Sequence, residues 1–166
     1  MENRYEKIIH PLEPCFNENS KILILGSFPS VKTREYGFFY GHKQNRFYKI
    51  MEVLFEMEIG DSIEDRRKFL LENRIGLYDS IYECEIIGSS DSSIRNVIPT
   101  DLSQIINNSM IKQVFTNGNT SHEVYRKYHE KNLNIKDIKL PSSSSANARY
   151  SLDDLVDKWK IILEYL

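Results

Sequence analysis

Small hydrogen-bonding residues, aromatics, an imidazole, an amide and several cations crowd one stretch of this chain: Gly26-Ser27-Phe28-Pro29-Ser30, followed by Tyr40-Gly41-His42-Lys43-Gln44-Asn45-Arg46-Phe47. A second segment, Leu140-Pro141-Ser142-Ser143-Ser144-Ser145-Ala146-Asn147-Ala148, is built largely of serine. Each follows a short apolar run of β character, so each stands where an α/β sheet places its ligand, beyond the C-terminal end of a strand. Glycine, serine and proline let backbone N–H groups come close to a phosphate. Phe28, Phe38, Phe39 and Tyr40 offer faces for stacking a base, and an amide or carboxylate can hold a water. These match the needs of an enzyme that works on a base in DNA: grip the backbone, extrude a nucleotide, stack its base and position a water.

Other nucleotide chemistries lack their marks. The Gly26 segment is not G-x-G-x-x-G, and neither G-x-x-x-x-G-K-[ST] nor a G-x-S-x-G elbow occurs. Cys15 and Cys84 form no C-x-x-C pair, which disfavours a structural zinc site or an iron–sulfur cluster. Both are expected as reduced thiols. His122 and His129 stand on one expected helix, separated by roughly 10 Å, too far to share a metal. Both read as surface residues. No cofactor and no metal are expected.

The 166 residues suit a single domain, 1–166. No apolar run nears the roughly 20 residues of a membrane span. The opening Met1-Glu2-Asn3-Arg4-Tyr5-Glu6 lacks the apolar core of a secretory signal, so a cytoplasmic location is expected. Net charge is −2, which argues mildly against a nucleic-acid partner. Its distribution argues the other way. Between Lys21 and Lys49 lie six basic residues and one acid, a local charge of +5 on a body of −7. A positive face on an acidic body still holds phosphates, because binding responds to the local field.

The elements that must position these residues follow from periodicity. Lys21 to Leu25 reads as a strand buried on both faces, and residues 26–44 as a long ordered loop. Apolar residues at helical spacing predict a helix from Asn45 to Met57; Asp61 opens the next, with Glu64 completing a capping box. Ile75 to Tyr82 is a second strand, Gly88 to Arg95 a polar loop, and Thr100 the cap of a short helix ending at Asn108. Ile111 to Thr116 is a third strand, residues 119–131 a polar helix, and Ile135 to Leu140 a fourth strand. Ser151 caps a final helix whose apolar stripe includes Trp159, read as a core anchor. The expected fold is α/β: three α/β/α layers around a small, mostly parallel four-stranded sheet. Asp79 and Asn117 also fall at strand ends.

Four ordered motifs resemble the uracil-DNA glycosylase superfamily, and within it the hypoxanthine (deoxyinosine) DNA glycosylase family. Its members look like GS-x-P-S, YYGHPQNRFW, GS-x-D-S-x-I and LPSTSPANA. The counterparts here are Gly26–Ser30, Phe39-Tyr40-Gly41-His42-Lys43-Gln44-Asn45-Arg46-Phe47-Tyr48, Gly88-Ser89-Ser90-Asp91-Ser92-Ser93-Ile94 and Leu140–Ala148. Lys43 replaces a proline, Tyr48 a tryptophan, Ser143 a threonine and Ser145 a proline. Phe28 stands where many superfamily relatives carry an Asp or Asn that acts on the attacking water. The resemblance implies that Asn45 takes that role, orienting water through its carbonyl oxygen; an Asn there also suits a helix cap. It implies Phe28, Tyr40, His42 and Asp79 as the base-binding set, with Phe28 as stacking platform or else loop packing, His42 on the leaving base or on a phosphate, and Asp79 reading the base or capping a turn. Asp79, accepting only, suits the N1–H of hypoxanthine or the N3–H of uracil and repels adenine's bare N1. DNA-backbone contacts fall to Ser27, Pro29, Ser30, Lys43, Arg46, Pro141, Ser142, Ser143, Ser144, Asn147 and Arg149, with Asn147 or Arg149 as the wedge entering the duplex.

The activity so implied is hydrolysis of an N-glycosidic bond in double-stranded DNA, by a monomer, with single strands left open. No lysine stands out as a Schiff-base nucleophile, so the expected product is an abasic site in an unbroken strand. A uracil- or mismatch-directed glycosylase is the nearest alternative. A catalytically silent DNA-binding module and a hydrolase of free nucleosides are the readings from other classes.

Overall fold

In the computed structural model, which describes residues 4–166, strand β1 (Glu6–Ile9) precedes the apolar run β2 (Ile22–Gly26). Met1, Glu2 and Asn3 of the N-terminal segment considered above lie outside the described residues. Next come α1 (Val31–Tyr36), α2 (Phe47–Phe55) and α3 (Ile63–Glu72). Then follow β3 (Ile75–Asp79), β4 (Ile81–Ile86), β5 (Arg95–Pro99) and α4 (Ser103–Asn107). The chain closes with β6 (Gln113–Asn117), α5 (Asn119–Tyr128), α6 (Glu130–Leu133), β7 (Asp137–Leu140) and α7 (Leu152–Trp159), which continues as a 3₁₀ turn to Tyr165.

Every residue of β2 and of β3 is buried, which is why neither shows the alternation of a half-exposed strand. They lie side by side in a parallel four-stranded sheet of order β3-β2-β6-β7, flanked by helices in the expected three layers. Strands β2, β3 and β6 all point the same way, so Gly26, Asp79 and Asn117 come out at one edge. That shared edge carries the site.

Several boundaries differ from expectation. The run Ile75–Tyr82 is two strands, not one. Ser80 N still bonds Gly26 O (2.9 Å), but beyond it the chain turns into β4 of a second, antiparallel sheet, β1-β4-β5, whose edge strands escaped the sequence reading. Both strands are largely exposed, Ile9 and Ile98 included, so neither carries a clear apolar pattern. The loop 26–44 contains α1, capped by Ser30 and closed by Gly37 in the left-handed conformation (φ 90°). Ser62, rather than Asp61, caps α3. Thr100 caps no helix; its hydroxyl donates to Asp79 O (2.9 Å) and pins the end of β3. His129 is buried, its Nε2 on Ser80 O (2.8 Å), and His122 is half-buried against Asp137 (2.6 Å), so neither is the surface histidine expected.

Trp159 is the core anchor expected: fully buried, edge-on to Phe47 at 5.8 Å. Its Nε1–H also donates to Pro141 O (2.9 Å), tying the last helix to the serine loop. Trp159→Phe removes that bond and leaves a void, so it should destabilise by about 2 kcal/mol. Thermal unfolding checks this, as a Tm lower by about 4–8 °C.

Candidate active site

A cleft of about 1160 Å³ opens at the C-terminal edge of the parallel sheet. Both segments singled out by their composition line it, together with Asp79, Asn117 and the Ser89-Ser90-Asp91 turn. Of the residues expected in the site, Lys43 and Arg46 alone do not line it.

The floor is set by a close approach. A Cβ on Gly26 would sit 2.4 Å from Asp79 Oδ1 and 3.4 Å from the Tyr40 hydroxyl, so only glycine lets the three meet. Asp79 is buried, and its Oδ2 lies 2.7 Å from Nε2 of His10, also buried. His10 reaches there because the segment before β2 pairs with β3 at Cys15 and Leu77, while His10 N bonds Tyr82 O (2.7 Å). The Tyr40 ring stacks on Phe47 at 4.3 Å. Its hydroxyl is buried without a well-formed hydrogen bond. Burial first and the charge of Asp79 second push its ionisation well above the ordinary tyrosine range, with the nearby Asn117 side chain opposing.

Phe28 borders the cleft on one side and packs with Ile81, Cys84 and Ile86 on the other, its ring edge-on to His10 at 5.7 Å. Loop packing and a face toward the cleft are therefore both present. Asp91 meets the Ser27 hydroxyl through both carboxylate oxygens (3.1 and 3.2 Å). Surrounding protein raises its pKa by desolvation, helped by the charge of Asp79 and opposed by the hydrogen bonds from Ser27 and Thr120. Though the residue is exposed overall, this carboxyl faces inward at the cleft mouth.

Asn45 sits in a closed network. Its Oδ1 accepts from Phe47 N (2.9 Å), an Asx turn opening α2, and from the Ser143 hydroxyl (2.9 Å). Ser143 Oγ in turn accepts from Asn117 Nδ2, and Ser143 N donates to Asn117 Oδ1, each at 2.9 Å. These donors fix which way the Asn45 amide points. Both lone pairs of its oxygen are engaged within the protein, contrary to the expectation that this oxygen faces the water. Among the described residues Nδ2 has no hydrogen-bond partner, and the residue lines the cleft. His42 is similarly fixed: its Nδ1 accepts from Gln44 N (3.1 Å), leaving Nε2 as the donor.

The serine loop is held by Arg46. The guanidinium donates to Ser144 O (2.7 Å), Asn147 O (3.0 Å) and Tyr150 O, and Arg46 N bonds Ser143 O (3.0 Å). Arg46 thus shapes the loop instead of presenting its charge to DNA. Within the loop, Ser142 Oγ accepts from Ser144 N and Ser144 Oγ from Ala146 N, each at 3.2 Å, so both hydroxyl protons stay available. Of the two residues expected to enter the duplex, Asn147 is tethered to Ser142 O (3.1 Å), whereas Arg149 is exposed. Ser30 caps α1, and Pro29 is buried at the wall. The positive rim comes from Lys32, Lys139, Arg149 and Lys158, only the first of which belongs to the basic stretch noted in the sequence.

His10, which meets Asp79 behind the cleft, and Lys158, which reaches the rim, come from remote segments and carried no sequence signal; Lys139 directly precedes the serine segment but was not singled out, and Asn117 showed only as a strand end. Among the described residues, no cluster of three or more His, Cys, Asp or Glu is placed to hold a metal, and no helix is long and apolar enough to span a membrane.

Residues 14–165 match the sequence profile of the uracil DNA glycosylase superfamily. A Methanosarcina acetivorans protein named hypoxanthine DNA glycosylase is 30% identical over 151 residues, 90% of this chain and 94% of that one. A Methanosarcina barkeri protein of the same name is 31% identical over 87 residues, 50% of this chain and 53% of that one. The solution NMR structure of a candidate uracil DNA glycosylase from M. acetivorans superposes with a TM-score of 0.79 at 29% identity, covering 93% of this chain and 96% of that one. With the motifs gathered at one sheet edge and a profile match over nearly its whole length, the chain belongs to the uracil DNA glycosylase superfamily.

Proposed function

We propose that this DNA glycosylase acts, as a monomer, on deoxyinosine: it extrudes the nucleotide, hydrolyses its N-glycosidic bond and releases hypoxanthine, leaving an abasic site. The observation that carries this is Asp79. Its Oδ2 is engaged by His10, while Oδ1 closes on Gly26 at the floor of the cleft that Phe28 and Asn45 also line. A carboxylate oxygen there accepts the N1–H of hypoxanthine and opposes the bare N1 of adenine. The names of the two relatives favour hypoxanthine over uracil, whose N3–H would satisfy the same oxygen.

As the base departs, positive charge builds on the sugar. The DNA phosphates and oriented loop dipoles stabilise it. With its oxygen engaged, Asn45 places the attacking water by donating from Nδ2 to the water oxygen, leaving a lone pair for C1′. The base leaves with the bonding electron pair, as its anion; an amide cannot remove a proton strongly, so the water adds late, to the already cationic sugar, and the proton it sheds once the C–O bond forms neutralises the base to hypoxanthine. Lys32, Lys139, Arg149 and Lys158 at the rim meet the backbone.

Release rates from duplexes carrying one deoxyinosine, one deoxyuridine or only normal bases test the reading. Hypoxanthine should leave fastest, adenine not at all, and the strand should break only after alkali. Faster release of uracil would favour the uracil-directed alternative. Breakage without alkali would assign a rim lysine as nucleophile and contradict simple hydrolysis.

A further inference from the structure

His10 belongs to no motif, yet its hydrogen bonds determine which kind of group Asp79 shows to a base. Nδ1 of His10 accepts from Leu12 N (3.1 Å), so it carries no proton. A neutral imidazole holds one proton, which must then sit on Nε2. Nε2 lies 2.7 Å from Asp79 Oδ2, so it donates and that oxygen accepts. The chain of donation therefore runs in one direction, from Leu12 N–H to His10 and from His10 N–H to Asp79. Among the described residues no side chain donates to Oδ1 of Asp79, which remains beside Gly26 in the cleft.

We propose that His10 is a specificity-determining positioning residue: directed by the Leu12 amide, it fixes the rotation of Asp79 and keeps its cleft-facing oxygen an acceptor. The substrate class so selected is the lactam bases, which carry a ring N–H, against adenine and cytosine, whose corresponding ring nitrogen is bare. His10 touches no substrate. Burial makes the polarity strict, since His10 and Asp79 are 7% and 5% exposed and water cannot easily rearrange the pair. This inference rests on the reading of Asp79 as the base-reading group.

The test compares wild type, His10→Leu and His10→Gln in single-turnover release from deoxyinosine DNA, beside binding to the same duplex with a tetrahydrofuran abasic analogue, which has no base to read. His10→Leu, losing a hydrogen bond to a carboxylate, should slow release on the order of ten- to a hundredfold while leaving analogue binding within twofold. His10→Gln, whose Nε2 keeps a neutral donor, should recover most of the rate. Long-range ¹H–¹⁵N correlations of wild type should show the His10 proton on Nε2. Undiminished release by His10→Leu, equal loss of analogue binding, no recovery by His10→Gln, or a proton on Nδ1 would overturn the assignment. Should the variants not fold, the wild-type tautomer decides it. Wild type that releases no hypoxanthine would instead defeat the proposed function, and this inference with it.

Discussion

Asp79→Asn should overturn the base preference: the ratio of hypoxanthine to adenine release is expected to fall at least a hundredfold. The reason is directional. His10 Nε2 lies 2.7 Å from the side-chain oxygen of residue 79 and would keep donating to the asparagine oxygen. The new amide nitrogen is then forced toward Gly26 and the cleft, where Asp79 Oδ1 now lies. Hypoxanthine's N1–H would meet another N–H, losing its acceptor and facing a like dipole. Adenine's N1 would gain a donor. Sites built to hydrogen-bond a substrate N–H reject mismatched partners far more strongly than apolar pockets reject a missing methylene. Single-turnover rates on matched deoxyinosine and deoxyadenosine duplexes check the ratio. An unchanged ratio would show that Asp79 does not read the base.

Asn45→Ala should lower the rate of release by about a hundred- to a thousandfold, the scale of losing one preorganised polar group at a reacting centre. Affinity for abasic-analogue DNA should change little, because the serine loop is also held by Arg46 and Trp159. Asn45→Asp should be much the milder change. One carboxylate oxygen can keep the bonds from Phe47 N and Ser143 Oγ, and the other would accept from the water where Nδ2 now donates. A carboxylate also stabilises the cationic sugar. A loss of only a few-fold in Asn45→Ala would mean that Asn45 does no more than open α2 and hold Ser143, and that the water is placed elsewhere.

The parallel sheet and the two cleft-lining loops were legible because they are local. A continuous apolar run ending at Gly26 announces a doubly covered strand, and serine, proline and glycine after it announce a turn that must approach something. The long-range pairings were not legible. Arg46 reads as a cation beside an asparagine, and nothing nearby in sequence shows that three carbonyls about a hundred residues away will occupy it. Lys139 and Lys158 meet Lys32 at the rim only because β7 and α7 return to the β2 edge. His10 reaches Asp79 through a bridge between Cys15 and Leu77 that leaves no periodic trace. The Asn45 amide shows the same limit within one side chain. Its type suggested a water-holding oxygen, and the tertiary donors Phe47 N and Ser143 Oγ turned the nitrogen outward instead.

The central claim is that this cleft hydrolyses the bond between hypoxanthine and deoxyribose in DNA. Its most direct test is to incubate the wild-type chain, with chelator present, with a duplex carrying one deoxyinosine and, separately, with free deoxyinosine, and to identify the products by mass spectrometry. Free hypoxanthine and an unbroken strand lighter by that base, from the duplex alone, are the expected result. Tight binding of the duplex with no base released would contradict the claim and make the chain a damage-recognising module, while cleavage of free deoxyinosine would make it a nucleoside hydrolase.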